Sequence, residues 1–595
     1  MTSLTQCPSA WPKICSDPPV YSISADALSQ AIEHLAAQPL PPSQQVFPWL
    51  HGLHRNNRLQ MAFFAANEVN PPTCLRGLTL VKTGGDLSHS KLKGAVDPLS
   101  ILVPGAECFR DADPRCGFGL RNFHIQLCKM AAISDIIVYH DELTPRANAE
   151  RLAHRIARAQ AAQKNSGFNT FLVSDSWTTI EERYPRLIAL NSRGEMPSGV
   201  INFAMQERIE LCRMSAPSQI SYNVWLGPTP DRSIPIISDV DFDVMIETNE
   251  MACIPDSRGL EKLHEMLQEM VKQKEIGDLA TGVVPQIEFP SSGSPKFSEV
   301  GAVNGLLDMC RWVYEKANGL SDTPMGRRDS KLMGDGRRIL IHCVDGYTDS
   351  SLLALAYLMF SECISAAEAW IRLHRDLKRN FFAYPGDAVF LHAIQDQIVR
   401  ASPSWRDCEA QLHCPNEPWF EQSDGSLPSR IMDHLYLGNL VHANNADMLR
   451  RLGITRVLSV GEPADWSDEE RSRWPADELL YIDKVQDNGI DALMEEFPRC
   501  LEFIDSGRKK GAKTLVHCRV GVSRSATICI AAVMRELNLS FPRAYCYVRA
   551  RRLNIIIQPH LRFVYELLQW EKTPRELDWA TISHEIAMLN MPYVK

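Results

Sequence analysis

The stretch AKTLVHCRVGVSRSATICIAAVM, Ala512 to Met534, decides how this chain is read. A four-residue strand signal runs into His517-Cys518, a glycine follows three residues after the cysteine, and an apolar helical run opens near Arg524. A strand that turns through such a loop into a helix N-terminus presents converging backbone N–H groups, and the helix macrodipole adds positive potential where they meet. A tetrahedral oxyanion fits that cradle, held by the loop residues Arg519, Val520, Gly521, Val522 and Ser523.

Cys518 sits at the base of the loop. The loop amides, the helix end and Arg524 all favour its ionised form, so the spacing predicts a nucleophilic thiolate at neutral pH. Arg524, six residues after the cysteine, is placed to fork two hydrogen bonds onto a phosphoryl group, which a lysine does less well. Ser525 is expected to donate its hydroxyl to the sulfur and make it a better leaving group. His517 is expected to brace the loop by hydrogen bonds. A departing hydroxyl oxygen needs a proton, and Asp487 is the candidate donor, in YIDKVQDNGID 31 residues before Cys518. Asp483 and Asp491 compete for that role. The same carboxylate then serves as base toward water.

Working outward, the motif has a second copy. RRILIHCVDGYTDSSLLALAYLMF (Arg337 to Phe360) repeats the strand, the His-Cys pair, the glycine three residues on and the apolar helix. Ile364-Ser365 and Leu539-Ser540 both lie 21 and 22 residues beyond their cysteines, and Ala369 and Ala544 both lie 26 beyond. Upstream, VWLG (Val224 to Gly227) matches LYLG (Leu435 to Gly438), with 116 residues from glycine to cysteine in the first copy and 80 in the second. In the first copy Asp349 stands where the arginine belongs, and IEFPSSGSP (Ile287 to Pro295) offers serines in place of the acid. A carboxylate there repels phosphate and opposes thiolate formation at Cys343. This copy is expected to be catalytically inert.

The 595 residues are too many for one core. Their boundaries are read as an N-terminal α/β region (1–215), a degenerate copy (216–400), a polar linker (401–426), an active copy (427–575) and a C-terminal tail (576–595). Ser321 to Arg338 reads as an elaborated loop inside the first copy. Hydrophobic residues at 45% and charged residues at 23% are ordinary globular values, which exclude a mainly disordered or fibrous chain. A net charge of -9 gives no overall basic field for nucleic acid or membrane, so any anion site is local. The N-terminus lacks an apolar signal core and the run Leu352 to Phe360 is too short to span a bilayer. The expectation is an intracellular chain, cytoplasmic or nuclear, whose 17 cysteines are reduced thiols. Cys408, His413 and Cys414 are too isolated to read as a zinc site. Arg508, Lys509, Lys510 and Lys513 with Arg549, Arg551 and Arg552 read either as a rim for acidic phosphopeptides or as a solvated face.

On LYLG, HCRVGVSRSA, VRARR (Val548 to Arg552) and QPHLRFVYELLQWE (from Gln558), the segment Pro428 to Glu571 resembles the cysteine-dependent dual-specificity protein phosphatases. The tandem arrangement is similar to a fungal group of these enzymes associated with cell-cycle control. The resemblance implies tandem α/β phosphatase-like domains, each a central sheet flanked by helices with a phosphate loop at a strand-to-helix turn. It also implies hydrolysis of phosphotyrosine and phosphoserine or phosphothreonine through a phosphocysteine, with no metal and no cofactor. Phosphoproteins are the implied substrates, and the degenerate copy is a candidate partner-binding unit. His560 departs from the family's asparagine after proline, which removes the expectation of one loop-bracing hydrogen bond. Two alternatives stand beside this reading: a non-catalytic phosphoprotein-binding scaffold, and an inositol-lipid phosphatase. The second is disfavoured because Arg519 is the only basic residue between Cys518 and Arg524.

Overall fold

The computed structural model describes residues 4, 11–163, 167–230, 240–276, 284–320, 336–408, 417–421, 425–572 and 575–593. Most of the Ser321 to Arg338 loop, together with His413 and Cys414, lies outside them. The described residues form three large sheets of mostly parallel strands covered by helices, an α/β architecture, with a small antiparallel pair, Lys91–Leu92 and Ile188–Leu190, beside the first.

The first sheet runs β1 (Lys13–Ser16), β2 (Pro19–Ile23), β3 (Gly77–Lys82), β4 (Ala95–Val96), β5 (Ser134–Tyr139) and β6 (Thr170–Val173) in the order β1-β2-β6-β5-β3-β4. The second contains β7 (Ser218–Ser221), β8 (Val224–Pro228), β9 (Val244–Asn249), β10 (Gln286–Pro290) and β11 (Ile339–Cys343), ordered β10-β9-β11-β8-β7. The third contains β12 (Ser429–Met432), β13 (Leu435–Gly438), β14 (Ile454–Val460), β15 (Leu479–Ile482) and β16 (Lys513–His517), ordered β12-β13-β16-β14-β15.

The second and third sheets have one topology. In each, an antiparallel hairpin leads the unit and the cysteine-bearing strand enters between the hairpin's second strand and the next strand in sequence. The register agrees as well: Gly227 faces His342 across β8 and β11, and Gly438 faces His517 across β13 and β16. The helices that follow, Ser351–Glu362 and α7 (Arg524–Leu537), both stop at a residue in the left-handed region, Cys363 (φ 57°) and Asn538 (φ 50°). In both, the next residue's N–H closes the end: Ile364 N–H donates to Met359 O and Leu539 N–H to Met534 O. Ser365 and Ser540 then begin the next helices. Residues 526–533 of α7 are all buried, as the continuous apolar run requires when a helix packs between a sheet and other helices.

Contacts cross these boundaries. Helix Phe203–Met214 of the N-terminal region lies on α8 (Phe541–Arg551), where Arg549 Nε donates to Glu207 at 2.6 Å and Arg551 Nη1 to Glu210 at 3.1 Å. Residues 579–590, read from sequence as tail, form a helix, Trp579–Asn590. Its Trp579, Ile582 and Ile586 are buried, and Trp579 Nε1 donates to Gln126 Oε1 at 3.0 Å. Six of its residues are buried, Trp579, Ala580, Ile582, Ser583, Ile586 and Asn590, and the polar residues between them hide the apolar face in the sequence. The expected linker is anchored at Trp419, which is 3% exposed and whose carbonyl accepts from Asn445 Nδ2 at 2.7 Å. One apolar cluster runs from Phe47 and Leu50 to Leu567 and Trp579, so the N-terminal region and the third sheet share a core. Among the described residues no single helix is long and apolar enough to cross a membrane.

Candidate active site

Cys518 follows the last residue of β16 and is 3% exposed. Two donors converge on its sulfur: the Gly521 N–H at 3.3 Å and the Ser525 hydroxyl at 3.1 Å. Gly521 has φ 76°, and a β-carbon there would lie 2.7 Å from Arg552 Nη2 and against the backbone of Gly438, so only glycine lets the loop close. Arg552 braces this region from α8's end, with Nη1 donating to Leu437 O at 3.3 Å and to Ser429 Oγ at 3.2 Å. In the first copy Arg379 acts alike, donating to Gly346 O at 3.0 Å and to Ser218 Oγ at 2.7 Å.

Arg524 opens α7 and is 6% exposed. Its Nη1 donates to Val485 O at 3.3 Å, and its Nε is buried without a protein partner. His517 is fully buried and pairs through Nε2 with Ser459 Oγ at 2.7 Å, tying β16 to β14. Burial pushes its imidazole down to about 3, so it stays neutral and is a brace. Ser523 Oγ donates to Asp487 Oδ1 at 2.7 Å, which seats that carboxylate against the loop one residue before Arg524. Of the competing acids, Asp483 is exposed and Asp491 caps its own turn, accepting Gln486 N–H at 2.9 Å and Asn488 Nδ2 at 3.0 Å.

Val520 and the Arg519 side chain are exposed, and Arg519 Nε turns outward to Glu462 at 3.5 Å. Val522 O accepts the Gln558 N–H at 3.0 Å, which joins the phosphate loop to the following loop. His560 caps helix Leu561–Trp570 through Nδ1 and the Phe563 N–H at 3.4 Å, and its Nε2 faces Asp487 Oδ1 at 3.6 Å. Burial holds His560 far below the ordinary histidine range.

A basic rim of seven residues is not formed. Arg549 and Arg552 are 5% and 3% exposed, and Arg551 pairs with Glu210. Arg549 and Arg551 lie on the face of α8 that meets helix Phe203–Met214.

Sequence reasoning missed Arg121. This residue of the N-terminal region donates from Nη2 to Asp487 Oδ2 at 2.9 Å and from Nε to Gln558 O at 2.8 Å. No local signal marks it, because it lies 366 residues from its carboxylate partner.

In the first copy the loop is filled by its own side chain. Asp345 Oδ1 accepts the Cys343 thiol at 3.1 Å, the Tyr347 N–H at 2.9 Å and the Thr348 N–H at 3.0 Å, while Oδ2 accepts the Thr348 hydroxyl at 2.6 Å. Burial, and then the Asp345 charge, push the Cys343 thiol up. Ser292 Oγ donates to Asp349 O at 2.9 Å, so one of the serines in the segment Ile287 to Pro295 fastens the loop.

Residues 435–573 match the family model described as dual specificity phosphatase, catalytic domain. The chain is 33% identical over 390 residues to dual specificity protein phosphatase PPS1 of Saccharomyces cerevisiae, covering 52% of this chain and 46% of that protein. It is 36% identical over 154 residues to dual specificity protein phosphatase 1 of Homo sapiens, covering 26% of this chain and 39% of that protein. The chain thus spans less than half the length of these relatives. Among solved structures, human tyrosine phosphatase-like serine/threonine/tyrosine-interacting protein is 28% identical, over 24% of this chain and 95% of its own, with a TM-score of 0.22. DUSP15 is 27% identical, over 27% of this chain and 97% of its own, with a TM-score of 0.23.

Proposed function

We propose that this chain, whose residues 435–573 match the dual specificity phosphatase model, hydrolyses phosphotyrosine and phosphoserine or phosphothreonine in proteins. The observation that carries the reading is the convergence of the Gly521 N–H and the Ser525 hydroxyl on the Cys518 sulfur, with Arg524 buried beside it.

In the first step the Cys518 sulfur attacks phosphorus, an S–P bond forms and the P–O bond to the substrate breaks. Asp487 gives its proton to the leaving oxygen. The loop amides and the unpartnered Arg524 Nε–H are donors for the equatorial oxygens as their charge redistributes. In the second step water attacks phosphorus, its proton passes to Asp487, and the S–P bond breaks to release inorganic phosphate. The Ser525 hydroxyl stabilises the departing sulfur.

The first copy, residues 216–400, has no part in this chemistry on the same reading. Its cradle amides already bind the Asp345 carboxylate, and Asp349 replaces the arginine. It is a buttress or a partner-binding unit.

Phosphate release from phosphotyrosine and phosphothreonine peptides by the full chain, without added metal, tests the proposal. Turnover should vanish in Cys518→Ser and persist in Cys343→Ser. Turnover surviving in Cys518→Ser would overturn the assignment.

A further inference from the structure

We propose that the N-terminal region completes the active site, with Arg121 as a positioning residue that holds Asp487 over the phosphate loop. The inference rests on the phosphatase reading of Cys518 and Asp487.

Three contacts from the N-terminal region meet the segment that carries the acid. His51 Nε2 donates to Gly489 O at 3.2 Å. Leu120 and His51 also pack on Gly489, where a β-carbon would lie 2.9 Å from His51 Nε2. Arg121 binds Asp487 Oδ2 at 2.9 Å and Gln558 O at 2.8 Å, and the Leu561 N–H donates to Leu120 O at 3.2 Å. The two loops that flank the phosphate cradle, 485–491 and 557–561, are therefore linked through residues 120 and 121. The turn that projects Arg121 is itself pinned: Asn122 Nδ2 donates to Gly119 O at 3.0 Å and to His51 O.

Asp487 has one oxygen on Ser523 of the phosphate loop and the other on Arg121. A carboxyl group with one oxygen held on each side has a single orientation, and a general acid works only when its proton is within hydrogen-bond reach of the leaving oxygen. Without Arg121 the carboxyl is held at Oδ1 only, by the Ser523 hydroxyl with His560 Nε2 at 3.6 Å, and is free to turn about that oxygen. The Arg121 and Asp487 side chains are 35% and 29% exposed, so solvent screens their charges and Arg121 acts mainly through geometry. The planar fork of arginine reaches two acceptors on two loops at once, which a lysine ammonium does not.

The test separates positioning of the acid from binding and from folding. In the full chain, kcat and KM are measured for unmutated protein, Arg121→Ala, Arg121→Lys, Asp487→Asn and Arg121→Ala/Asp487→Asn. One substrate is a phosphothreonine peptide, whose leaving alkoxide needs a proton. The other is nitrophenyl phosphate, whose leaving group departs without one. Arg121→Ala should lower kcat on the peptide by about tenfold or more and on the aryl ester by less than about threefold, since general acid catalysis contributes roughly 10²–10⁴-fold. Retained aryl turnover shows that the variant is folded. Arg121→Lys should show the same selectivity with a smaller loss. Adding Arg121→Ala to Asp487→Asn should cost little more on the peptide, because both changes remove one function. Equal losses on both substrates, a loss confined to KM, or additive losses in the double variant would each overturn the proposal. So would an active chain in which Arg121→Ala matches unmutated protein on both substrates. An unmutated chain inactive on both would instead overturn the phosphatase reading, and this inference with it.

Discussion

The Cys343 thiol donates to Asp345 Oδ1 at 3.1 Å, and the same carboxylate takes up the amides of Tyr347 and Thr348. The first copy thus keeps the anion cradle of the second and supplies the anion from its own chain. Asp345→Ala, made in a Cys518→Ser background, should free those amides and allow vanadate to raise the unfolding temperature through the first copy. Vanadate stabilisation equal in Cys518→Ser with and without Asp345→Ala would show that the carboxylate does not block the loop.

Gly461 has φ 92°, and a β-carbon there would fall within the Arg524 guanidinium. Gly461→Ala should therefore displace Arg524 and lower kcat by about 10²-fold, the scale expected for losing a charge-stabilising donor. The positive φ and the Val485 carbonyl 3.0 Å away add backbone strain, so the unfolding temperature should fall too, with the fold retained because the shortest clash is with the end of the Arg524 side chain. A kcat within threefold of the unmutated value would mean that Arg524 adapts.

His374 joins the two copies. Its Nε2 donates to Pro428 O at 2.8 Å, and its ring stacks on Tyr436 with centroids 6.0 Å apart. Burial pushes its imidazole down to about 4. A depressed folded-state value means that the unfolded chain takes up the proton first, so this stability is complete above about pH 6.5 and is lost as pH falls toward 4. The contribution is roughly 2 kcal/mol between pH 7.5 and 5. Denaturant midpoints at the two pH values should show a smaller acid loss in His374→Gln, whose amide can still donate to Pro428. An unchanged acid loss in that variant would assign the effect to the other buried histidines.

Arg549 and Glu207 form a largely buried pair, with side chains 2% and 20% exposed, that docks the N-terminal region on α8. Arg549 Nη1 also donates to Asn590 Oδ1 at 2.8 Å. Arg549→Ala leaves Glu207 in a site where burial already raises its carboxyl, and should cost about 3–5 kcal/mol. Arg549→Met/Glu207→Leu should recover much of that loss. Unfolding at the same denaturant concentration in Arg549→Ala and unmutated protein would contradict the pairing.

The strand, the His-Cys loop and the following helix were legible in the sequence because their causes are local. Gly521 is needed three residues after Cys518 for the loop to close, Ser525 lies one residue into α7, and Asn538 and Ser540 end one helix and start the next. The same short-range chemistry made the repeat visible. It favoured Asp487 over Asp483 and Asp491, and folding brings Asp487 onto Ser523 while Asp491 closes its own turn. Arg121 carried no mark at all, since its partners lie 366 and 437 residues away. The charges at Arg549 and Arg551 looked like surface because their acidic partners sit on a helix more than 300 residues earlier. Sequence alone determined the chemistry that backbone turns and caps impose within about twenty residues. Tertiary structure decided which distant charges and loops meet around it, because those contacts depend on how the sheets pack and not on spacing along the chain.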